Sequence, residues 1–142
     1  MNLLGREVGC GHPLFLIAGP CVIESRERVL ECASALREIS DRLNILLIFK
    51  SSFDKANRTA GASYRGPGLD EGLEILSDVR SSSGLPLLTD VHSVDQVPAV
   101  ASVVDILQTP AFLCRQTDLI EAVAASGKPV NIHNFFEDKP HY

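Results

Sequence analysis

Tryptophan is absent, methionine occurs once, and aromatic side chains make up only 6% of the 142 residues. A core must therefore be filled mainly by Leu, Ile, Val and Ala, and a hydrophobic content of 45% is enough to do so in one ordinary domain. No apolar run approaches the ~20 residues that span a bilayer, and the stretch Leu14–Ala18 is too short for a secretory h-region. These absences predict a cytoplasmic protein with no membrane partner. Positive charge is also scarce: thirteen Lys plus Arg against eighteen Asp plus Glu give a formal charge of −5. That balance excludes a general nucleic-acid footprint and leaves room only for a local basic pocket. The four cysteines, Cys10, Cys21, Cys32 and Cys114, include no close pair, so neither a CxxC zinc knuckle nor a disulfide-stapled mini-domain fits. Neither GxGxxG after the first strand nor GxxxxGK[ST] is present, which removes the dinucleotide fingerprint and the P-loop.

What is present is a repeating alternation of short apolar runs and helical periodicity. Leu14–Ala18 reads as a buried strand stopped by Gly19-Pro20. A helix follows from Ser25, its cap, to Leu43, with Val29, Ala33, Leu36, Ile39 and Leu43 on one face. Ile45–Phe49 is a second strand, and the polar, glycine-rich segment from Lys50 to Gly68 reads as irregular backbone. Leu69, Leu73, Leu76 and Val79 line a helix that stops near Gly84. A third strand near Pro86–Thr89 leads to a helix opened by a Ser93/Gln96 capping box and kept short or bent by Pro98. Asp105–Gln108 is a fourth strand, Thr117–Ser126 a helix with Leu119, Ala122 and Val123 inward, and Pro129–Ile132 a fifth strand. The order βαβαβαβαβ, with strands that do not alternate, predicts a parallel sheet covered by helices.

A doubly wound sheet and part of a barrel share that order, and the polar residues at the strand ends separate them. Cys21, Lys50, Asp90 with His92, Gln108, and Asn131 with His133 follow or end the five strands. Only a barrel brings all carboxyl ends to one mouth, so the reading is a partial TIM (β/α)8 barrel of about five strands and four helices. A complete barrel takes about 250 residues, more than this sequence has. Lys50, Lys55, Arg58 and Arg65, with Asn57, Thr59 and neighbouring hydroxyls, suit phosphate, because ammonium groups attract the dianion and a guanidinium grips two of its oxygens. A solvated charged loop has the same composition. Cys21 reads equally as a small buried hydrophobe or a metal ligand, Asp90 as a helix cap or a catalytic group, and Gln108 as a loop-bonding amide. Arg115, at a helix start where the dipole offers a cation nothing, calls for an acidic neighbour or a bound anion. Cys32 and Cys114 read as packing residues, and His12 and His141 take no role.

Several long ordered segments resemble the metal-dependent 3-deoxy-D-manno-octulosonate 8-phosphate synthases (KDO 8-phosphate synthases). They are FLIAGPCVIES at Phe15–Ser25, FKSSFDKANR at Phe49–Arg58, SYRGPGLDEGL at Ser63–Leu73, TDVH at Thr89–His92 and QTPAFLCRQTDL at Gln108–Leu119. The related 3-deoxy-D-arabino-heptulosonate 7-phosphate synthases typically carry a KPRTS-like stretch where this chain has Lys55-Ala-Asn57-Arg58-Thr59, which favours the octulosonate group. The resemblance spans Phe15 to about Ile132 and corresponds to the N-terminal half of a family enzyme. It implies residues 1–142 as an incomplete phosphoenolpyruvate-dependent aldolase-type barrel, with 133–142 an atypical tail.

The resemblance also implies a transferase of lipopolysaccharide biosynthesis that condenses phosphoenolpyruvate with D-arabinose 5-phosphate and releases phosphate. It assigns Lys50, Lys55, Asp90, His92 and Gln108 to the catalytic centre, and Asn57, Arg58, Thr59 and Arg115 to substrate binding, Arg115 reaching a neighbouring subunit of a homo-oligomer, usually a tetramer. Cys21 falls where the metal-dependent class has a cysteine ligand for a divalent metal (zinc, iron or manganese), completed in the family by His, Glu and Asp from the second half of the barrel. His133 departs from the pattern, since the family usually has a Lys there that helps bind phosphoenolpyruvate. A truncated chain that retains part of the sugar-phosphate site without turnover is the alternative expectation.

Overall fold

The computed structural model describes residues 1–56 and 64–133. Asn57, Arg58, Thr59 and the tail from residue 134 onward, including His141, lie outside the described residues. The chain opens with a two-stranded antiparallel ribbon, β1 (Asn2–Leu3) and β2 (Arg6–Glu7), turned by Leu4 and Gly5 at positive φ. The main sheet follows as β3 (Phe15–Ala18), β4 (Leu46–Lys50), β5 (Leu87–Asp90), β6 (Ile106–Thr109) and β7 (Val130–Ile132). All four pairings are parallel and neighbours in space are neighbours in sequence, so the five strands curl as one side of a barrel. The helices are α1 (Arg26–Leu43), α2 (Leu69–Ser83), α3 (Val97–Val103) and α4 (Thr117–Ala125). For the main sheet and its four helices the expected order is the observed one; the N-terminal ribbon is additional.

Alternation along the strands sorts their side chains into two layers. Leu47, Phe49, Leu87 and Leu107 face the helices and pack with Val29, Ala33, Leu76 and Val79 in the larger core. Ile48, Leu88 and Ile106 face inward, joined by Phe15 and Ile17, and are met by Leu3 and Val8 of the N-terminal ribbon. The ribbon thus closes the lower end of the curled sheet with apolar side chains. Two residues further along the same inward rows stand Lys50, Asp90 and Gln108, because a strand repeats its facing every second residue.

Local chemistry explains the boundaries. Ser25 accepts from the Arg28 amide and caps α1, Asn44 closes it in the left-handed conformation, and Gly84 does the same for α2. Pro98 lies in the first turn of α3, where its missing N–H costs no bond, and the helix is seven residues long.

Three expectations require correction. Leu14 is 74% exposed and precedes the strand. Ile39 and Leu43 are exposed while Ser40 is buried, because the eighteen-residue α1 outreaches strands of four and five residues and its last turn overhangs them. Ser93 makes no side-chain cap; the Gln96 side chain accepts from the His92 amide, and a 3₁₀ turn at Val94–Gln96 precedes α3. Arg115, for which an acidic neighbour or a bound anion is expected, is exposed and makes no ion pair among the described residues.

Candidate active site

At the carboxyl end of the sheet the strand-end side chains surround a pocket of about 700 Å³. Cys21, Lys50, Lys55, Asp90, His92 and Gln108 all line it, so every expected catalytic residue and the expected metal ligand face one space. His133 and the Pro110–Leu113 segment form another part of the wall. Arg115 is not among the lining residues.

Asp90 is the centre of the polar cluster. It is 4% exposed, accepts hydrogen bonds from Ser52 Oγ and Gln108 Nε2, and lies 3.7 Å from Lys50 Nζ and 3.8 Å from Lys55 Nζ. Ser52 Oγ in turn accepts from both ammonium groups, at 2.9 Å from Lys50 and 3.0 Å from Lys55. Asn131 Nδ2 donates to Gln108 Oε1 at 2.6 Å, which fixes the amide so that its nitrogen points at Asp90. A continuous chain therefore runs from β7 through β6 and β5 to the two lysines. Ser52 and Asn131 are the members to which the sequence assigns no individual role. Asn131 was visible only as a polar strand end, and Ser52 as one hydroxyl in a polar segment; its spacing of two from Lys50 carried the facing signal.

Electrostatics follow from burial. Desolvation would raise the Asp90 carboxyl, but Lys50, the Ser52 and Gln108 hydrogen bonds and Lys55 together hold it below the ordinary carboxylate range. Burial lowers the Lys50 ammonium; Asp90 opposes this, Lys55 adds to it, and the net direction is down. Burial also lowers His92, against the pull of Asp90 and Asp54, so its ring is neutral near pH 7. His92 meets Phe53 edge-on at 5.6 Å between ring centroids, and its buried Nδ1 has no hydrogen-bond partner among the described residues. Two lysines and two carboxylates, Asp90 and Asp54, line the pocket, and Arg65 takes up both oxygens of Asp54, which leaves the lysines in excess, the condition for admitting an anion.

The thiol of Cys21 is exposed to the pocket. Among the described residues no group of three His, Cys, Asp or Glu side chains comes together as a metal site. These residues alone do not fit a metal centre of three or four protein ligands.

Fold and site together define a partial (β/α)8 barrel with a cationic pocket at the carboxyl ends of its strands. The chain belongs to the DAHP synthetase I family, which it matches over residues 5–137. It is 64% identical over 132 residues, 93% of this chain, to proteins named 2-dehydro-3-deoxyphosphooctonate aldolase from Bordetella bronchiseptica and Aromatoleum aromaticum. A protein of the same name from Stenotrophomonas maltophilia is 61% identical over the same share. The matched segment covers 46%, 47% and 48% of those proteins respectively, so the chain spans about half the length of the curated relatives it matches. That name denotes KDO 8-phosphate synthase, the group that the sequence segments resemble.

Proposed function

We propose that this chain provides the strand-mouth half of a synthase site that condenses phosphoenolpyruvate with D-arabinose 5-phosphate, giving 3-deoxy-D-manno-octulosonate 8-phosphate and phosphate. The carrying observation is the lysine pair on Ser52 and Asp90 inside the pocket, in a chain whose relatives bear the octulosonate name. Lys50 and Lys55 would bind the phosphate or carboxylate of phosphoenolpyruvate as point charges. Asp90 would keep both ammonium groups charged and aimed, and Gln108, held by Asn131, would stay fixed at its side. His92, neutral, would present an uncharged polar wall to the enol.

Asn57, Arg58 and Thr59 would take the sugar phosphate, and Arg115, exposed beside the pocket wall, would reach the site of a second subunit in a homotetramer. As one pocket-facing thiol, Cys21 would be a single ligand to a divalent ion (zinc, iron or manganese) whose remaining donors would have to come from outside the described residues. No helix of the described residues is long and apolar enough to cross a membrane, in keeping with work in the cytoplasm.

Calorimetric titration with phosphoenolpyruvate tests the reading. Binding that is lost in Lys50→Ala and weakened in Lys55→Ala is expected. Absence of binding by the unmodified chain, or binding indifferent to both substitutions, would refute it.

A further inference from the structure

Lys50 and Lys55 reach the same serine and the same carboxylate, but by different means. Lys50 is the last residue of β4 and inherits its direction from the sheet. Lys55 lies five residues on, in no regular element, so something else must hold its backbone. The Lys55 amide donates to the Arg65 carbonyl at 2.6 Å, and the Arg65 guanidinium grips both oxygens of Asp54, Nε to Oδ1 at 2.9 Å and Nη2 to Oδ2 at 2.6 Å. One arginine thus holds two successive residues, one through main chain and one through side chain.

The surroundings reinforce this grip. Gly68 donates to the Phe53 carbonyl at 3.2 Å, and Tyr64 Oη donates to the Ile23 carbonyl at 3.0 Å. Gly66 and Gly72 press so closely on Phe53 that a β-carbon at either would overlap it. Asp54 lines the pocket, whereas Arg65 does not. An uncovered Asp54 would place a second carboxylate where an anion must enter, and both of its oxygens are already occupied by Arg65.

We propose that the Asp54–Arg65 pair is a positioning device for the anion site: it holds the Lys55 ammonium on Ser52 and Asp90, and it neutralises Asp54 at the pocket wall. Arg65 acts through its neighbours and touches no ligand. The proposal rests on the functional reading above only for the identity of the anion.

Two measurements on the full chain test it. The first needs no ligand: acetic anhydride labelling, read by peptide mass spectrometry, gives the acetylation rate of Lys55 relative to Lys50. Lys55 and Lys50 are comparably shielded, at 15% and 17% side-chain exposure. Arg65→Ala should raise the Lys55 to Lys50 ratio about two- to fivefold, the scale of losing one exposed bidentate ion pair. Arg65→Lys, which keeps a positive charge beside Asp54, should raise it less; the main-chain carbonyl that accepts from Lys55 is present in both variants. An unchanged ratio in Arg65→Ala, or an equal rise in Arg65→Lys, would overturn the proposal.

The second is a double-mutant cycle on phosphoenolpyruvate affinity. Arg65→Ala should weaken binding, and the loss should shrink in an Asp54→Asn background, where no carboxylate is left to uncover. Equal losses in both backgrounds would make Arg65 a direct ligand and overturn the proposal. If the unmodified chain binds no phosphoenolpyruvate, the functional reading fails, and the labelling ratio still decides for or against the positioning role.

Discussion

Replacing Asp90 by Asn removes the one buried carboxylate that two lysines share, while changing the side-chain volume little. At 3.7 and 3.8 Å, each charge pair has a Coulomb term of roughly 4 kcal/mol at an effective dielectric of about 20. Desolvation cancels much of that, and removing one partner of a buried pair typically costs about 3–5 kcal/mol. Both lysines keep some water contact, at 17% and 15% side-chain exposure, so the low end, about 3 kcal/mol, is expected. Asn also mismatches its neighbours: Gln108 Nε2 and Ser52 Oγ both donate to Asp90, and one of them would face an amide NH₂.

Against a total stability of about 5–15 kcal/mol this is a large loss, equivalent to a fall in Tm of about 6–12 °C. Urea unfolding, with an unchanged m value, measures it. The pH dependence supplies a second check. Because the folded carboxyl is depressed below its ordinary value of 3.8, its stabilisation is present above that value and lost as the pH falls through the folded one; wild type and variant should converge in acid. A deficit below about 1 kcal/mol near pH 7, or one that persists unchanged in acid, would refute the view that Asp90 organises the cluster.

Gly19→Ala should destabilise the junction of β3 and β4 by more than about 1 kcal/mol, because the glycine has a φ of +154° and a β-carbon there would overlap the Lys50 carbonyl; thermal unfolding measures the loss. His92 has a folded pKa below its ordinary 6.5, so the unfolded chain binds more protons in that window and stability should fall as pH drops below about 6.5; His92→Phe should flatten this slope in urea titrations at stepped pH. Arg58→Ala should weaken D-arabinose 5-phosphate binding more than phosphoenolpyruvate binding, by separate calorimetric titrations, since a guanidinium fork suits the sugar phosphate; equal losses would count against that assignment. The isolated chain should release negligible phosphate from the two substrates even with added zinc or manganese, because no group of three metal-ligating side chains comes together among the described residues; robust turnover by a demonstrated monomer would contradict this.

Element order was legible in the residues because short apolar runs and 3.6-residue periodicity are local properties. Every main-sheet strand and every helix lies within a few residues of its expected place, and the polar strand ends foretold that Lys50, Asp90 and Gln108 share a mouth. Strand parity alone put them on one face. The N-terminal ribbon was not legible: Asn2–Leu3 and Arg6–Glu7 are two-residue strands, too short for any periodicity, and only their contact with Ile48, Leu88 and Ile106 gives them a place. The depth at which α1 overhangs the sheet was equally hidden, since an amphipathic stripe does not reveal where its partner strands stop. Ser52 took on meaning only when two lysines, three residues apart from it or fewer, folded onto a carboxylate 38 positions away. Residue types set which groups are able to bond; the curl of the sheet decided which of them meet, because hydrogen bonds between side chains far apart in sequence depend on a geometry that no local pattern encodes.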